Sequence, residues 1–306
     1  MGRSPVRKGG EIHIGLHVSP GKALSGRLPR FLAGMPGKLN PRCCNRPALR
    51  NARVHRRATS QAPCPQGWHL AYSTFIRRAP ASALARFTVL KSSDLVHLEQ
   101  FFYQWATLLL PTLVPGAHVL VASNPLVSPL VATALGKAGL ERRGEIVRLV
   151  MTMRGGDRPK NAHDEFADVS VMPRSQWEPW LLYRKPIEAR TVAENLRKYK
   201  TGGLRRISDD QPFGDVIKSH PTRPAERRLA DHPSLKPQAF LRQVVRAILP
   251  LGEGVVLDPF AGAGSTLAAA TAVGYDSIGV EIDPHYIEIA KRAIPALAEV
   301  PVEFPL

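Results

Sequence analysis

The sequence predicts an α/β fold: a largely parallel sheet covered by helices. Three observations carry this. Strand and helix patterns alternate from Gln238 to the end of the chain, as stacked βα units require. The turn Gly262-Ala-Gly264 joins an apolar strand to a helix. Only 48 residues follow Asp258, room for two strands and two helices. The rest of the sheet must come from upstream, so the half that carries the glycine turn stands last.

The elements follow from hydropathy and punctuation. Order is expected from about Arg86. Leu95, Leu98, Phe101, Phe102, Trp105 and Leu109 recur at helical spacing, giving a helix over 92–110 with Ser92, Ser93 and Asp94 at its N-cap. A short buried strand over 118–123 ends at Asn124-Pro125, and a helix over 127–138 with Pro129 in its first turn ends at Gly139. A strand follows over 145–153, then a basic loop over 154–160, then an aromatic strand within 175–185. Residues 186–230 are polar and broken by Pro and Gly, which reads as a linker or recognition loop with little core. Pro237 opens a helix whose apolar face is 240, 241, 244, 245, 248 and 249. The last elements are a strand over 254–258, a helix over 265–273, a strand over 277–281 and a helix over 284–298. The expected division is 1–86, 87–186, 187–230 and 231–306.

The formal net charge of +17 is unevenly placed: residues 1–86 hold 3 Lys and 13 Arg against one acid, Glu11. Arg, Pro, Gly and Ala dominate there without apolar periodicity, so a disordered basic N-terminal arm is expected. Two readings of it stand side by side: a phosphate-backbone-binding arm and a non-functional or non-native stretch. Cys43, Cys44 and Cys64 all lie in it without zinc-ligand spacing, so no metal is expected. No apolar run approaches the roughly 20 residues a membrane helix needs, and the N-terminus lacks the apolar core of a signal peptide. The expected place is the cytoplasm.

The chemistry concentrates in Asp258-Pro-Phe-Ala-Gly-Ala-Gly-Ser-Thr266. An acid ends the strand, and glycines let backbone approach a ligand at a helix N-terminus. Asp258 suits an ammonium-bearing ligand better than a pyrophosphate, which the carboxylate would repel. Glu281 ends the next strand, 23 residues on, where ribose hydroxyls are held in such units. Ile282 is placed to pack on an adenine, and Asp283 to cap the last helix. The plain alternative is an ordinary βα turn.

Asp258-Pro259-Phe260-x-Gly262-x-Gly264-Ser265-Thr266 resembles the cofactor motif of amino-methylating DNA methyltransferases. His232-Pro233-Ser-Leu-Lys236-Pro237 is similar to the H-P-x-x-K-P element that precedes that motif. The aromatic stretch 176–186 resembles the family's strand near the target base. The resemblance implies a Rossmann-like, circularly permuted sheet of the beta-type order, with S-adenosylmethionine as cofactor. It further implies that these motif residues shape the cofactor pocket. DNA is the implied partner, methylated at adenine N6 or cytosine N4, and a restriction system is a further partner the family admits. An RNA methyltransferase and a non-catalytic DNA-binding protein on the same fold are the other readings.

One family element is missing. The tetrad [DNS]-P-P-[YFW], which in the family holds the target amine and stacks on the flipped base, should precede the 92–110 helix. The sequence contains no two consecutive prolines, so the catalytic residues are unassigned. Ser123-Asn124-Pro125-Leu126 is the nearest string and reads as a structural stop. A chain with weak cofactor binding and little or no methyl transfer is therefore expected. Arg154, Arg158, Lys160, Arg205 and Arg206 are candidate phosphate contacts, and Trp177 and Trp180 are candidates to line a base pocket or fill the core.

Overall fold

A computed structural model describes residues 91–150 and 155–302, and of the earlier chain the backbone of 14–18. The strands are β1 (Ile14–Val18), β2 (His118–Ala122), β3 (Glu141–Leu149), β4 (Trp177–Arg184), β5 (Val216–Lys218), β6 (Val255–Asp258) and β7 (Asp276–Glu281). The helices are α1 (Ser92–Leu109, continued by a 3-10 turn over Leu110–Thr112), α2 (Ser128–Lys137), α3 (Val192–Tyr199), α4 (Pro224–Leu229), α5 (Gln238–Ile248), α6 (Ser265–Ala272) and α7 (Pro284–Ala298).

The strands form two sets, ordered β2-β4-β3-β5 and β1-β7-β6. β6 and β7 run parallel, as do β3 and β5, but β4 is antiparallel to both β2 and β3. The sheet is thus mixed where a largely parallel one was expected. β3 and β4 are consecutive and joined by a loop, so they pair antiparallel without needing a helical crossover. The N-terminal segment also departs from expectation, because the backbone of β1 pairs antiparallel with β7 from Ile14↔Glu281 to Val18↔Ser277. Ile14, Leu16 and Val18 alternate with Gly15 and His17, a period-2 signal that the surrounding basic composition hides. The rest of the expected arm lies outside the described residues.

Side chains of β2 and β6 enter the same two cores. On one face Val256 joins Ile146, Trp180, Phe240, Leu241, Val244 and Val245, with Leu120 packed against them. On the other, Leu257 packs on the cluster of Ala106, Leu109, Val119, Val131, Leu135, Leu181 and Tyr183. β2 and β6 each end their strand set, so among the described residues neither has a second strand neighbour. A third core joins α6 to α7 through Leu267, Ala268, Ile287, Ala290, Ala293 and Ile294. The alanine-rich α6 is well suited to this, combining high helix propensity with close approach.

The polar stretch 187–230 carries α3, β5 and α4. Thr191 caps α3 by accepting from Glu194 N–H at 3.2 Å. The fully buried Asn195 donates from Nδ2 to the carbonyls of Pro115 and Thr201 at 2.9 and 2.8 Å. Glu226 is buried and accepts from the backbone N–H of Gln238 at 2.7 Å, fixing α4 to the start of α5. Arg205 donates to the Tyr275 hydroxyl at 2.9 Å and its own N–H to the Ala247 carbonyl at 2.8 Å. Hydropathy scores Asn195 and Glu226 as surface, yet hydrogen bonds to the Asn195 Nδ2 donor and to Glu226 hold both inside. Of these two side chains, only Asn195 Oδ1 is left without a partner among the described residues.

His118 opens β2 with its Nδ1 buried and, among the described residues, without a partner. Burial, then the nearby Arg184 and Arg143 guanidinium groups, lower its pKa to about 4. The folded value lies below the unfolded one, so the protein loses stability as pH falls from about 6.5 to about 4. Discounted for partial exposure, the loss is about 2 kcal/mol. Denaturant titrations across that window are expected to show wild type losing about 2 kcal/mol as pH falls and His118→Gln a flatter profile.

Candidate functional site

The turn after β6 is built by two carboxylates. Asp258 accepts from its own turn, taking Phe260 N–H at 3.0 Å, and bonds the Thr266 hydroxyl. Burial pushes its carboxyl above the usual range, with a smaller push from Glu281, while the two hydrogen bonds pull the other way. β7 lies beside β6 in parallel, with Asp258 in register with Gly279, which brings Glu281 to the same end. Its Oε2 accepts from Gly262 N–H at 2.7 Å, and its Oε1 from Ile282 and Asp283 N–H at 2.8 and 2.9 Å. Asp283 in turn caps α7 by accepting from His285 N–H at 2.9 Å. A carboxylate offers about four acceptor positions, so Glu281 keeps one for a hydroxyl.

The glycines answer to the protein itself. Gly262 has φ +51°, and a Cβ there would stand 2.9 Å from His232 Nε2. Gly264, the residue before α6, has φ +81°, and a Cβ there would meet Ile294 Cγ1 at 2.5 Å. A side chain at either position would therefore press on His232 or Ile294, a need for glycine beyond the ligand approach that the motif predicts.

The 232–237 element reaches this turn through His232, and Leu235 joins Ala261 and Ala263 in one core cluster. The His232 ring lies against Gly262 and 4.5 Å from the Tyr286 ring, with Nδ1 accepting from Ser234 N–H at 3.1 Å. Burial lowers its pKa, against the opposing pull of Glu281 and Asp231. Pro233 is exposed and follows His232 in a turn closed by Leu235 N–H on the His232 carbonyl at 3.2 Å. Pro237 is buried and leads α5, its carbonyl accepting from Phe240 and Leu241 N–H. Lys236 is ion-paired with Glu178 of β4. Ser265 and Thr266 start α6, the former accepting from Gln238 Nε2 at 2.9 Å through its carbonyl. Pro259 and Ile282 are half-buried, whereas Phe260 is 43% exposed, enough to present a ring face.

Three side chains near the site were not singled out as site residues from sequence. Phe101 and Trp105 of α1 stand 6.3 and 5.8 Å, centroid to centroid, from the Phe260 ring. They were assigned to a core-facing stripe, and only their i, i+4 spacing marks them as a pair. Glu178 lay unnoticed between the two tryptophans. Other candidates fall into structural roles. Trp180 packs on Phe240 at 4.9 Å and donates to Glu178 at 3.2 Å. Asn124 accepts from Leu126 N–H at 2.9 Å, and its carbonyl starts α2, as befits a structural stop. Arg205 is held by Tyr275, while Arg206 is exposed and bonds the Ser208 carbonyl through Nε. Arg158 and Lys160 are exposed, in a loop whose continuation to 176 also holds Asp164, Glu165 and Asp168. Arg154 and the segment before α1, where the tetrad was sought, lie outside the described residues.

The chain has relatives among known proteins. A family model described as DNA methylase matches residues 97–292. The DNA adenine methyltransferase YhdJ of Escherichia coli is 33% identical over 133 residues, 39% of this chain and 45% of that protein. Type II methyltransferase M2.DpnII of Streptococcus pneumoniae is 29% identical over 93 residues, 30% of this chain and 34% of that one. The chain thus spans less than half the length of these curated relatives. Among solved structures, the M1.HpyAVI–SAM complex aligns with a TM-score of 0.43 at 18% identity, over 63% of this chain and 81% of that one. The cytosine-N4-specific PvuII DNA methyltransferase aligns at 0.46 and 11%, over 68% and 72%. No described helix is long and apolar enough to cross a membrane.

Proposed function

Because the chain belongs to the N6/N4 DNA methylase family, we propose that its glycine turn binds S-adenosylmethionine for methylation of an exocyclic base amine in DNA, adenine N6 or cytosine N4. The observation that carries this is the pair of strand-end carboxylates, Asp258 and Glu281, joined across the turn by the 2.7 Å bond to Gly262 N–H. The residues suit the cofactor. A carboxyl raised by burial gains when a cation arrives, so Asp258 is placed to accept from the methionine ammonium. Glu281 keeps one acceptor position for a ribose hydroxyl, and Ile282 offers an apolar side chain for the adenine. Phe260, Phe101 and Trp105 form an aromatic wall that excludes water from this side of the turn. His232, Pro233, Lys236 and Pro237 hold the turn from below, His232 by contact and the others through the loop. When bound, S-adenosylmethionine supplies an electrophilic sulfonium methyl.

Transfer further needs groups that hold a flipped base, and the sequence offers no tetrad for this. We therefore propose a chain that binds cofactor and transfers methyl slowly or not at all. Calorimetry with S-adenosylmethionine and its demethylated product tests the first half. Transfer of labelled methyl to unmethylated DNA tests the second. Robust turnover that Asn124→Ala abolishes would show that the 123–126 turn is catalytic after all. Cytoplasmic placement and a restriction-system partner belong to the same reading, and a pull-down from the native host with quantitative mass spectrometry would test the latter.

A further inference from the structure

We infer that Glu178 is a positioning residue for the cofactor turn, acting through Lys236 to hold the 231–237 loop, and with it His232, against Gly262. The inference rests on the reading that this turn binds S-adenosylmethionine. Glu178 sits at the start of β4 in the target-side half of the sheet. Its side chain is only 17% exposed, and three donors converge on it. Arg148 Nη1 donates at 2.8 Å and Trp180 Nε1 at 3.2 Å, both to Oε2, while Lys236 Nζ pairs with Oε1. The two cations and the buried acid give each other the partners that burial demands. Lys236 and Arg148 hold the Glu178 carboxyl below its ordinary value against the opposite push of burial.

What makes this a positioning device is its connectivity. Arg148 comes from β3 and is itself fixed, donating to Ser219 Oγ at 3.0 Å and to the His220 carbonyl at 2.9 Å, with its guanidinium 5.1 Å from the Phe240 ring. Glu178 is therefore anchored on the target side, and its free oxygen reaches across to the loop. Lys236 is four residues from His232, and the Leu235 N–H bond to the His232 carbonyl shortens the path between them. His232 Nε2 then stands 2.9 Å from where a Cβ on Gly262 would be. The Lys236 ammonium, occupied by Glu178, has a role in the motif without touching the ligand.

The test uses the full chain and S-adenosylhomocysteine as probe. Glu178→Gln and Lys236→Met are each expected to weaken its binding about tenfold in calorimetry, a coupling within the range of contacting charge pairs. The double variant is expected to be no weaker than the worse single one, and Lys236→Arg to stay near wild type. Additive losses, or wild-type affinity in Glu178→Gln, would overturn the inference. Hydrogen exchange on the cofactor-free protein covers the case in which Glu178→Gln does not fold. Lys236→Met should then speed exchange at the amides of 232–236 and leave α5 protected, which a lysine that only touches ligand would not cause. Unchanged exchange there overturns the inference. Wild type that binds no S-adenosylhomocysteine overturns the cofactor reading itself and takes this inference with it. Wild type that binds, with affinity lost in Asp258→Ala but kept in the Glu178 and Lys236 variants, overturns the inference alone.

Discussion

Asp258→Asn is expected to abolish measurable affinity for S-adenosylmethionine while raising the melting temperature of the cofactor-free protein at neutral pH. The carboxyl is raised above its ordinary value by burial first and by Glu281 last, with the Thr266 and Phe260 hydrogen bonds opposing. A group with a raised folded value binds more protons folded than unfolded. Its contribution to stability is therefore present below the unfolded value and lost as pH rises through the folded one. Wild type therefore carries a stability cost that grows as pH rises, and Asn removes that cost while keeping an acceptor for Phe260 N–H. The ionised form of the acid is what an ammonium needs. Losing a charge-assisted bond of this kind costs about 3 kcal/mol, or more than a hundredfold in affinity. Cofactor affinity of wild type should climb with pH across this window, with proton release visible as a dependence on buffer ionisation enthalpy. A variant that binds like wild type, or one that is less stable at neutral pH, would place the ligand elsewhere.

The elements around Asp258 and Glu281 were legible in the sequence and those upstream only partly, for a physical reason. The strands and helices around Asp258 and Glu281 carry strong periodicity, capping and a glycine turn, so β6, α6, β7 and α7 stand within a residue or so of expectation. Local signals of that kind report on local structure. The 187–230 stretch carries few, because Asn195, Thr222, Glu226 and Arg205 are placed by hydrogen bonds to residues distant in sequence. No composition or period encodes such partners. The same limit hid Glu178, whose partners Arg148 and Lys236 stand 30 and 58 residues away. It also hid part of the reason for Gly262 and Gly264: the need for glycine is plain from the motif, but neighbours that add to it come from loop 231–237 and from α7. Residue type reveals where a side chain is forbidden. Only the fold reveals what occupies the space.

That distinction can be measured, because two glycines of almost identical φ differ in their surroundings. Gly264 has φ +81° and Gly274 has φ +82°. At Gly264 a Cβ would meet Ile294 Cγ1 and Cδ1 at 2.5 and 2.7 Å and Ala290 Cβ at 3.3 Å, whereas at Gly274 nothing stands within 4 Å. Both alanine variants carry the left-handed backbone penalty, about 1–2 kcal/mol. Only Gly264→Ala adds overpacking against α7, typically a further 1–3 kcal/mol. Gly274→Ala is thus expected to lose about 1 kcal/mol with cofactor binding intact. Gly264→Ala is expected to lose about 3 kcal/mol or more, a large part of the stability of an ordinary domain, together with cofactor binding as the turn is pushed off α7. Ile294→Ala supplies the partner for a cycle. It opens a cavity costing about 2–5 kcal/mol alone, but in the double variant the new methyl occupies part of that space. The double should therefore be at least about 1 kcal/mol more stable than the two single losses added together. Strict additivity would mean that α7 does not press on Gly264, and that the glycine at 264 is required by its backbone angle or by a ligand.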